Sequence, residues 1–178
     1  MAGRSTTFDN YSLEELAGNY AVTLQGSITT CVDPTAKPID CKAPTATAIP
    51  FTVLQVGENT RDENGNACAT FTVVRTTLPV DNKLPKVGVI RAVATVASYD
   101  PATGTGDQNV ITYSGGTCNG ASFDSMGAPP TGTNSAHFAV SNDGRRIDLV
   151  LTSNVSYVTG ITGNSIGAFS LSAIQLKQ

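Results

Sequence analysis

The side chains able to do chemistry are few and widely spaced. His137 is the only histidine among 178 residues. As a general base it would need a carboxylate or a nucleophile within hydrogen-bond reach. Asp148, across the hairpin that residues 137–153 form, is its expected neighbour. No GxSxG elbow accompanies the pair, so the favoured reading of His137 is a surface strand histidine. Arg91 interrupts an apolar stretch between Val89 and Val93, and Arg75 follows Val73 and Val74. An inward arginine could hold a ligand carboxylate bidentately; the expectation for both is the ordinary outward orientation. Asp148 is expected in an outward cross-strand salt bridge. Tyr20, Tyr99, Tyr113 and Tyr157, with Phe51, Phe71, Phe138 and Phe169, could line a pocket or fill a core, and core is the default. If a ligand pocket exists, Tyr20, Phe71, Arg91, Tyr113 and Phe138 are expected to line it. Asp62, Asp100 and Asp107 lie in turns rich in Gly and Asn but lack EF-hand spacing, so no metal and no cofactor is expected. Asn10-Tyr11-Ser12 and Asn154-Val155-Ser156 are glycosylation-type triplets, meaningful only in a eukaryotic secretory route.

The four cysteines stand at positions 31, 41, 68 and 118. None forms a CxxC pair and the single histidine is remote, which disfavours zinc. An even number suits disulfides. Cys31 and Cys41 flank a proline-rich loop, CVDPTAKPIDC, while Cys68 opens a strand and Cys118 sits in a glycine-rich turn. Bridges Cys31–Cys41 and Cys68–Cys118 are expected, although sequence alone leaves three pairings open. Disulfides imply a secreted or periplasmic location. The first ten residues contain no apolar h-region, so on this reading the signal peptide is absent from the chain.

These residues must be positioned by strands. The stretch HFAVSNDGRRIDLVLTS shows the pattern most clearly: Phe138 and Val140 alternate with wetter residues, Asn142-Asp143-Gly144 supplies a tight turn, and Ile147, Leu149 and Leu151 alternate on the return. Similar two-residue periods occur at 19–30, 67–78, 86–99, 109–114 and 166–176, a less clean one at 49–56, and short strands are possible at 121–124 and 155–159. Residues 58–66 read as a turn and 126–134 as a loop. Ser12 and Glu15 form a capping-box pattern, which predicts a short helix that covers one end of the fold. The chain length suits one domain, 11–178, preceded by a loose arm, 1–10. The sum is an all-β antiparallel up-and-down β-barrel of about eight to nine strands with a short N-terminal helix.

Composition narrows the function. Charged residues make up only 14% and the net charge is -3. No basic stripe suits a phosphate backbone, so nucleic-acid binding is not expected. No apolar run of about 18 residues exists, so no transmembrane helix is expected.

The chain resembles small bacterial secreted β-barrel proteins related to the allene oxide cyclase barrel and, more distantly, the lipocalin-like calycins. The resemblance rests on Leu16-Ala17-Gly18-Asn19-Tyr20, on the turn Asp62-Glu63-Asn64-Gly65-Asn66 before a Thr-rich strand, and on Cys118-Asn119-Gly120-Ala121. Phe138 to Gly144, Ile147 to Thr152 and a final strand containing Gly167 complete it. The segments 31–46 and 79–86 are longer than that pattern. The resemblance implies a barrel and carries over no pocket residue. Three functions follow as expectations: a secreted barrel that binds a small apolar molecule or serves as a surface module; a cofactor-free cyclase or isomerase that holds a flexible substrate in a reactive shape; or a self-assembling homo-oligomer.

Overall fold

The computed structural model describes residues 10–37, 39–75, 86–114, 118, 130–156, 165–166 and 172–178. The expected arm therefore lies almost wholly outside the described residues, as do the possible strand at 121–124, Tyr157 and Phe169. The chain folds as β1 (Gly18–Val32), β2 (Thr47–Arg61), β3 (Ala67–Arg75), β4 (Lys86–Asp100), β5 (Thr105–Ser114), β6 (Pro130–Val140), β7 (Arg146–Ser156), the two-residue β8 (Ser165–Ile166) and β9 (Ser172–Lys177). Neighbours pair in the order β2-β3-β4-β5-β6-β7-β9-β1, and β1 returns to β2 to close the ring. The result is a closed antiparallel barrel of eight strands, with β8 adding a short pairing to the upper part of β1 at Thr29 and Thr30. Closure removes every free sheet edge, as the sequential hairpins required.

The two ends of the barrel differ. At one end the connections are tight turns at 62–66, 101–104 and 141–145, and both termini of the barrel lie there. Side-chain carboxylates hold these turns: Asp62 Oδ1 accepts from the backbone N–H of Asn64 and Asn66, Asp100 Oδ1 from that of Ala102, and Asp143 Oδ1 from that of Arg145. At the other end lie the long connections 33–46, 76–85, 115–129 and 157–171. Below, these are the turn end and the loop end.

Several boundaries move. β2 continues through 58–61, which had read as a turn, because Asn59 and Arg61 extend the inward alternation of Val53 and Gly57. β6 starts at Pro130, inside the expected loop. The expected N-terminal helix is instead a single hydrogen-bonded turn at 13–16. Its capping box is present, with the Ser12 backbone N–H donating to Glu15 Oε2 (2.8 Å) and the Glu15 N–H to Ser12 Oγ (3.2 Å). This turn covers the turn end as anticipated. Leu16 is fully buried in the core, the Tyr20 hydroxyl donates to the Leu16 carbonyl (2.6 Å), and the Tyr99 hydroxyl donates to the Tyr11 carbonyl (2.7 Å).

The inner wall carries Leu16, Tyr20, Val22, Val53, Ala69, Phe71, Ala92, Ala136, Phe138, Val140, Ile147 and Leu149 as one cluster. Ile147 and Leu149 confirm that the apolar face of the 138–152 hairpin points inward. Two large rings fit because glycine stands directly across from each: Phe71 pairs Gly57 and Phe138 pairs Gly106. A Cβ at Gly57 would lie 1.9 Å from the Thr70 carbonyl oxygen, and one at Gly106 2.6 Å from Phe138 Cζ. An aromatic ring across from a strand glycine both fills the space the missing side chain leaves and allows the barrel wall to bend.

Both expected disulfides are present. Cys31–Cys41 closes the 33–46 connection and Cys68–Cys118 ties the start of the 115–129 segment to the outer wall of β3. By chain entropy the bridge spanning 50 residues contributes about 4 kcal/mol and the one spanning 10 about 3 kcal/mol.

Gly57→Ala places a methyl group against a backbone carbonyl that cannot move without opening the β2–β3 ladder. We predict a loss of about 3 kcal/mol, seen as a fall in Tm of roughly 10 °C by differential scanning calorimetry. An unchanged Tm would show that the two strands do not approach this closely.

Candidate functional site

The barrel interior is the one place where side chains from many strands converge. Near the turn end it is filled. Tyr20, Phe138 and Ile147 are at most 1% exposed, and Tyr99 stacks on Phe138 with centroids 5.8 Å apart. Within this packing lies a polar layer. Arg61 reaches in from the end of β2 and is only 2% exposed. Its Nη1 donates to the Gly65 carbonyl and its Nη2 to Gln175 Oε1 (3.3 Å). Asn59 Nδ2 donates to the same Gln175 oxygen (2.8 Å). The guanidinium carbon stands 5.9 Å from the Phe138 ring centroid, a cation–π contact. Burial pushes Arg61 below its ordinary value, opposed by Tyr20 and Asp62, while burial pushes the Tyr20 hydroxyl up. Three polar atoms in the interior have no hydrogen-bond partner: Asn59 Oδ1, Arg61 Nε and Gln108 Oε1. Buried polar groups normally find partners, so this layer is a polar floor with unused capacity.

Above the floor, toward the loop end, the inward wall mixes polar and apolar residues: Gln55, Thr112 and Asn134 stand there half-buried, and Val53 is sealed. Leu24, Ile90, Val110 and Leu151 pack on the core cluster yet are only partly buried. In a closed barrel an inward side chain gains exposure only through the lumen or its mouth. The interior thus combines a polar layer near the turn end with partly buried residues of both kinds above it.

The residues anticipated as a ligand pocket divide between two places. Tyr20, Phe71 and Phe138 do point inward, and the first and last are locked in the filled layer. Arg91 and Tyr113 point outward and do not line the lumen. Cross-strand partners share a face, and Arg91 pairs Thr70 and Tyr113 on the same outward row as Cys68 and Val93. There the Arg91 guanidinium stacks over the Tyr113 ring at 4.9 Å, next to the cluster of Cys68, Val93, Tyr113 and Cys118. The Cys118 backbone N–H donates to Thr70 Oγ1 (3.0 Å). Arg91 is 2% exposed even so, and its Nε and Nη1 have no partner. The side chain of Arg75 lies outside the described set.

His137 also points outward, but its neighbour is not Asp148. The register places His137 across from Val150 and Asp107, and Asp148 across from Ala139. His137 Nδ1 lies 3.0 Å from Asp107 Oδ1, and Ser98 Oγ donates to Asp107 Oδ2 (3.0 Å). The carboxylate therefore sits between serine and histidine, the wrong order for a nucleophilic triad, in which histidine must touch the serine. Asp148 pairs along its own strand with Arg146 (2.8 Å) rather than across strands. Among the described residues no group of three His, Cys, Asp or Glu could hold a metal ion.

Sequence reading missed Asn59, Arg61, Gln108 and Gln175. The first two had been assigned to a turn. No alternation marks them, because the inward row Val53, Gln55, Gly57, Asn59, Arg61 turns polar while Leu54 and Val56 face outward.

Comparison of the chain with known protein families, with curated proteins and with solved structures finds no match in any of the three.

Hydrogen bonds from His137 and Ser98 hold the Asp107 carboxyl below its ordinary value of 3.8. Because the folded value is depressed, the linked stability is present above the ordinary value and is lost as pH falls through the depressed one. His137→Ala should move the Asp107 titration, followed by carboxyl-carbon NMR, part of the way back up. An identical titration in both proteins would show that the contact is absent in solution.

Proposed function

We propose that this protein is an extracytoplasmic binding barrel that takes a small, largely apolar molecule through the loop end of its lumen. The observation that carries the reading is the partial exposure of four inward apolar residues. Leu24, Ile90, Val110 and Leu151 face inward and remain partly open, whereas Leu16, Tyr20, Phe138 and Ile147 below them are sealed. Ligand sites of this kind combine predominantly apolar walls with a few polar groups that orient the guest. The floor of Asn59, Arg61 and Gln175 supplies such groups. The extracytoplasmic part of the reading rests on the two disulfides and on all four cysteines being engaged.

Binding is favoured over catalysis because the inward described positions carry no His, Asp or Glu to act as general base. The acid–base candidates His137, Asp107 and Asp148 all stand on the outer wall.

The chain contains no tryptophan, so Leu151→Trp places a single reporter in the upper lumen. Titration with an apolar fluorescent acceptor such as anilinonaphthalene sulfonate should give saturable energy transfer at one site per chain. Adding bulk with Val110→Trp in place of the reporter should weaken dye binding at least tenfold. Non-saturating transfer, or equal binding by the Val110 variant, would contradict a luminal site.

A further inference from the structure

Two of the unpartnered polar atoms in the interior belong to one bonding scheme, and that scheme fixes what can answer them. Asn59 and Arg61 are successive inward residues of β2, each only 2% exposed. Arg61 Nη2 and Asn59 Nδ2 donate to the same oxygen, Gln175 Oε1, at 3.3 and 2.8 Å. A guanidinium can only donate. It therefore holds the Gln175 amide with its oxygen toward Arg61, and that oxygen holds the Asn59 amide with its nitrogen toward Gln175. Turning either amide over would set donor against donor or oxygen against oxygen. What remains is a charged donor, Arg61 Nε, and an acceptor of settled identity, Asn59 Oδ1, neither with a partner. No carboxylate lies within salt-bridge distance of Arg61 among the described residues. Each free atom is one carbon away from an atom bonded to the Gln175 oxygen, so one compact group reaches both.

Resting on the luminal binding reading above, we infer that this polar layer selects the head of a hydroxy acid with an apolar tail. The carboxylate accepts from Arg61 Nε–H, and a hydroxyl on a nearby carbon donates to Asn59 Oδ1.

Both halves of that head are needed. A plain carboxylate supplies the counter-charge that the buried guanidinium lacks, through a charge-assisted hydrogen bond. It has no proton to give, so it leaves Asn59 Oδ1 buried and unpaired, which is costly. A plain alcohol serves Asn59 Oδ1 and leaves the buried charge uncompensated. A hydroxy acid answers both atoms at once. Gln108, the next inward residue of β5 after Gly106, also has an amide oxygen without a partner. Turned over, that amide offers an N–H to the second carboxylate oxygen. The tail then lies against Leu24, Ile90, Val110 and Leu151, the inward apolar residues that are only partly buried. The competing account is ordered water alone at the free polar atoms, which gives no preference among apolar guests.

The test is displacement of anilinonaphthalene sulfonate from the full chain by three ten-carbon probes: 3-hydroxydecanoate, decanoate and 1-decanol. The hydroxy acid should bind about fivefold more tightly than decanoate, as one additional hydrogen bond allows, and decanol more weakly than either acid. Asn59→Leu keeps the side-chain shape and removes Oδ1. It should abolish the preference for the hydroxy acid and leave decanoate binding within about twofold. Should that variant fail to fold, Asn59→Asp gives Arg61 an internal carboxylate; both acids should then weaken at least tenfold while decanol is unaffected. Equal binding of the two acids overturns the proposal in favour of water alone, and so does a hydroxyl preference that survives Asn59→Leu. Dye that binds and is displaced by none of the probes overturns this inference and leaves the luminal reading standing. A chain that binds no dye overturns both.

Discussion

The pairing of β1 with β2 is the constraint on which everything else depends. It is the closing seam, fifteen residues long, between Gly18–Val32 and Thr47–Arg61. Until it forms, the chain is a curved sheet with two open edges and no inside. Once it forms, every second residue on eight strands is committed to an enclosed interior, and the one-residue register is fixed because a slip would send that entire set outward. The seam also explains why the 33–46 connection is stapled. Cys31–Cys41 shortens the loop that must bring the two longest partners together, lowering the entropy cost of closure in the unfolded chain.

Closure has two chemical consequences. At the turn end, short Asx-capped turns and the Ser12–Glu15 turn leave no opening, so Leu16, Tyr20 and Phe138 pack densely and Arg61 is trapped among carbonyl, amide and ring partners without a carboxylate. A buried guanidinium in such a place is costly unless its N–H groups are used, and two of its three nitrogens are. Toward the loop end, Leu24, Ile90, Val110 and Leu151 are only partly buried.

Much of this was legible in the residues. Two-residue alternation at Ile147, Leu149 and Leu151 marked the inward face of β7, and the pairing of the last strand with Tyr20 follows from the closed topology. The cysteine pairs were legible from their flanking turns. What was not legible has physical reasons. Arg91 stands outward, as expected of a strand arginine, and neither it nor Tyr113 lines the interior. The outer wall beside them carries the Cys68–Cys118 bridge, so burial there says nothing about the interior. The polar floor was hidden because Asn59 and Arg61 read as turn residues. The Gly57–Phe71 and Gly106–Phe138 pairs depend on cross-strand register, which a single strand's sequence does not display. The capping box at Ser12 is present, but the five residues between it and Gly18 are too few for more than one turn.

The most direct test of this account is amide hydrogen exchange along β1, residue by residue, by NMR. In antiparallel pairing successive amides point to opposite neighbours. Closure predicts that all amides from Tyr20 to Gln25 are protected, alternately by β2 and by β9, with exchange near the rate of global unfolding. Protection of every second amide only, with the set facing β9 or β2 exchanging freely, would show an open sheet and would contradict both the sealed floor and the lumen built on it.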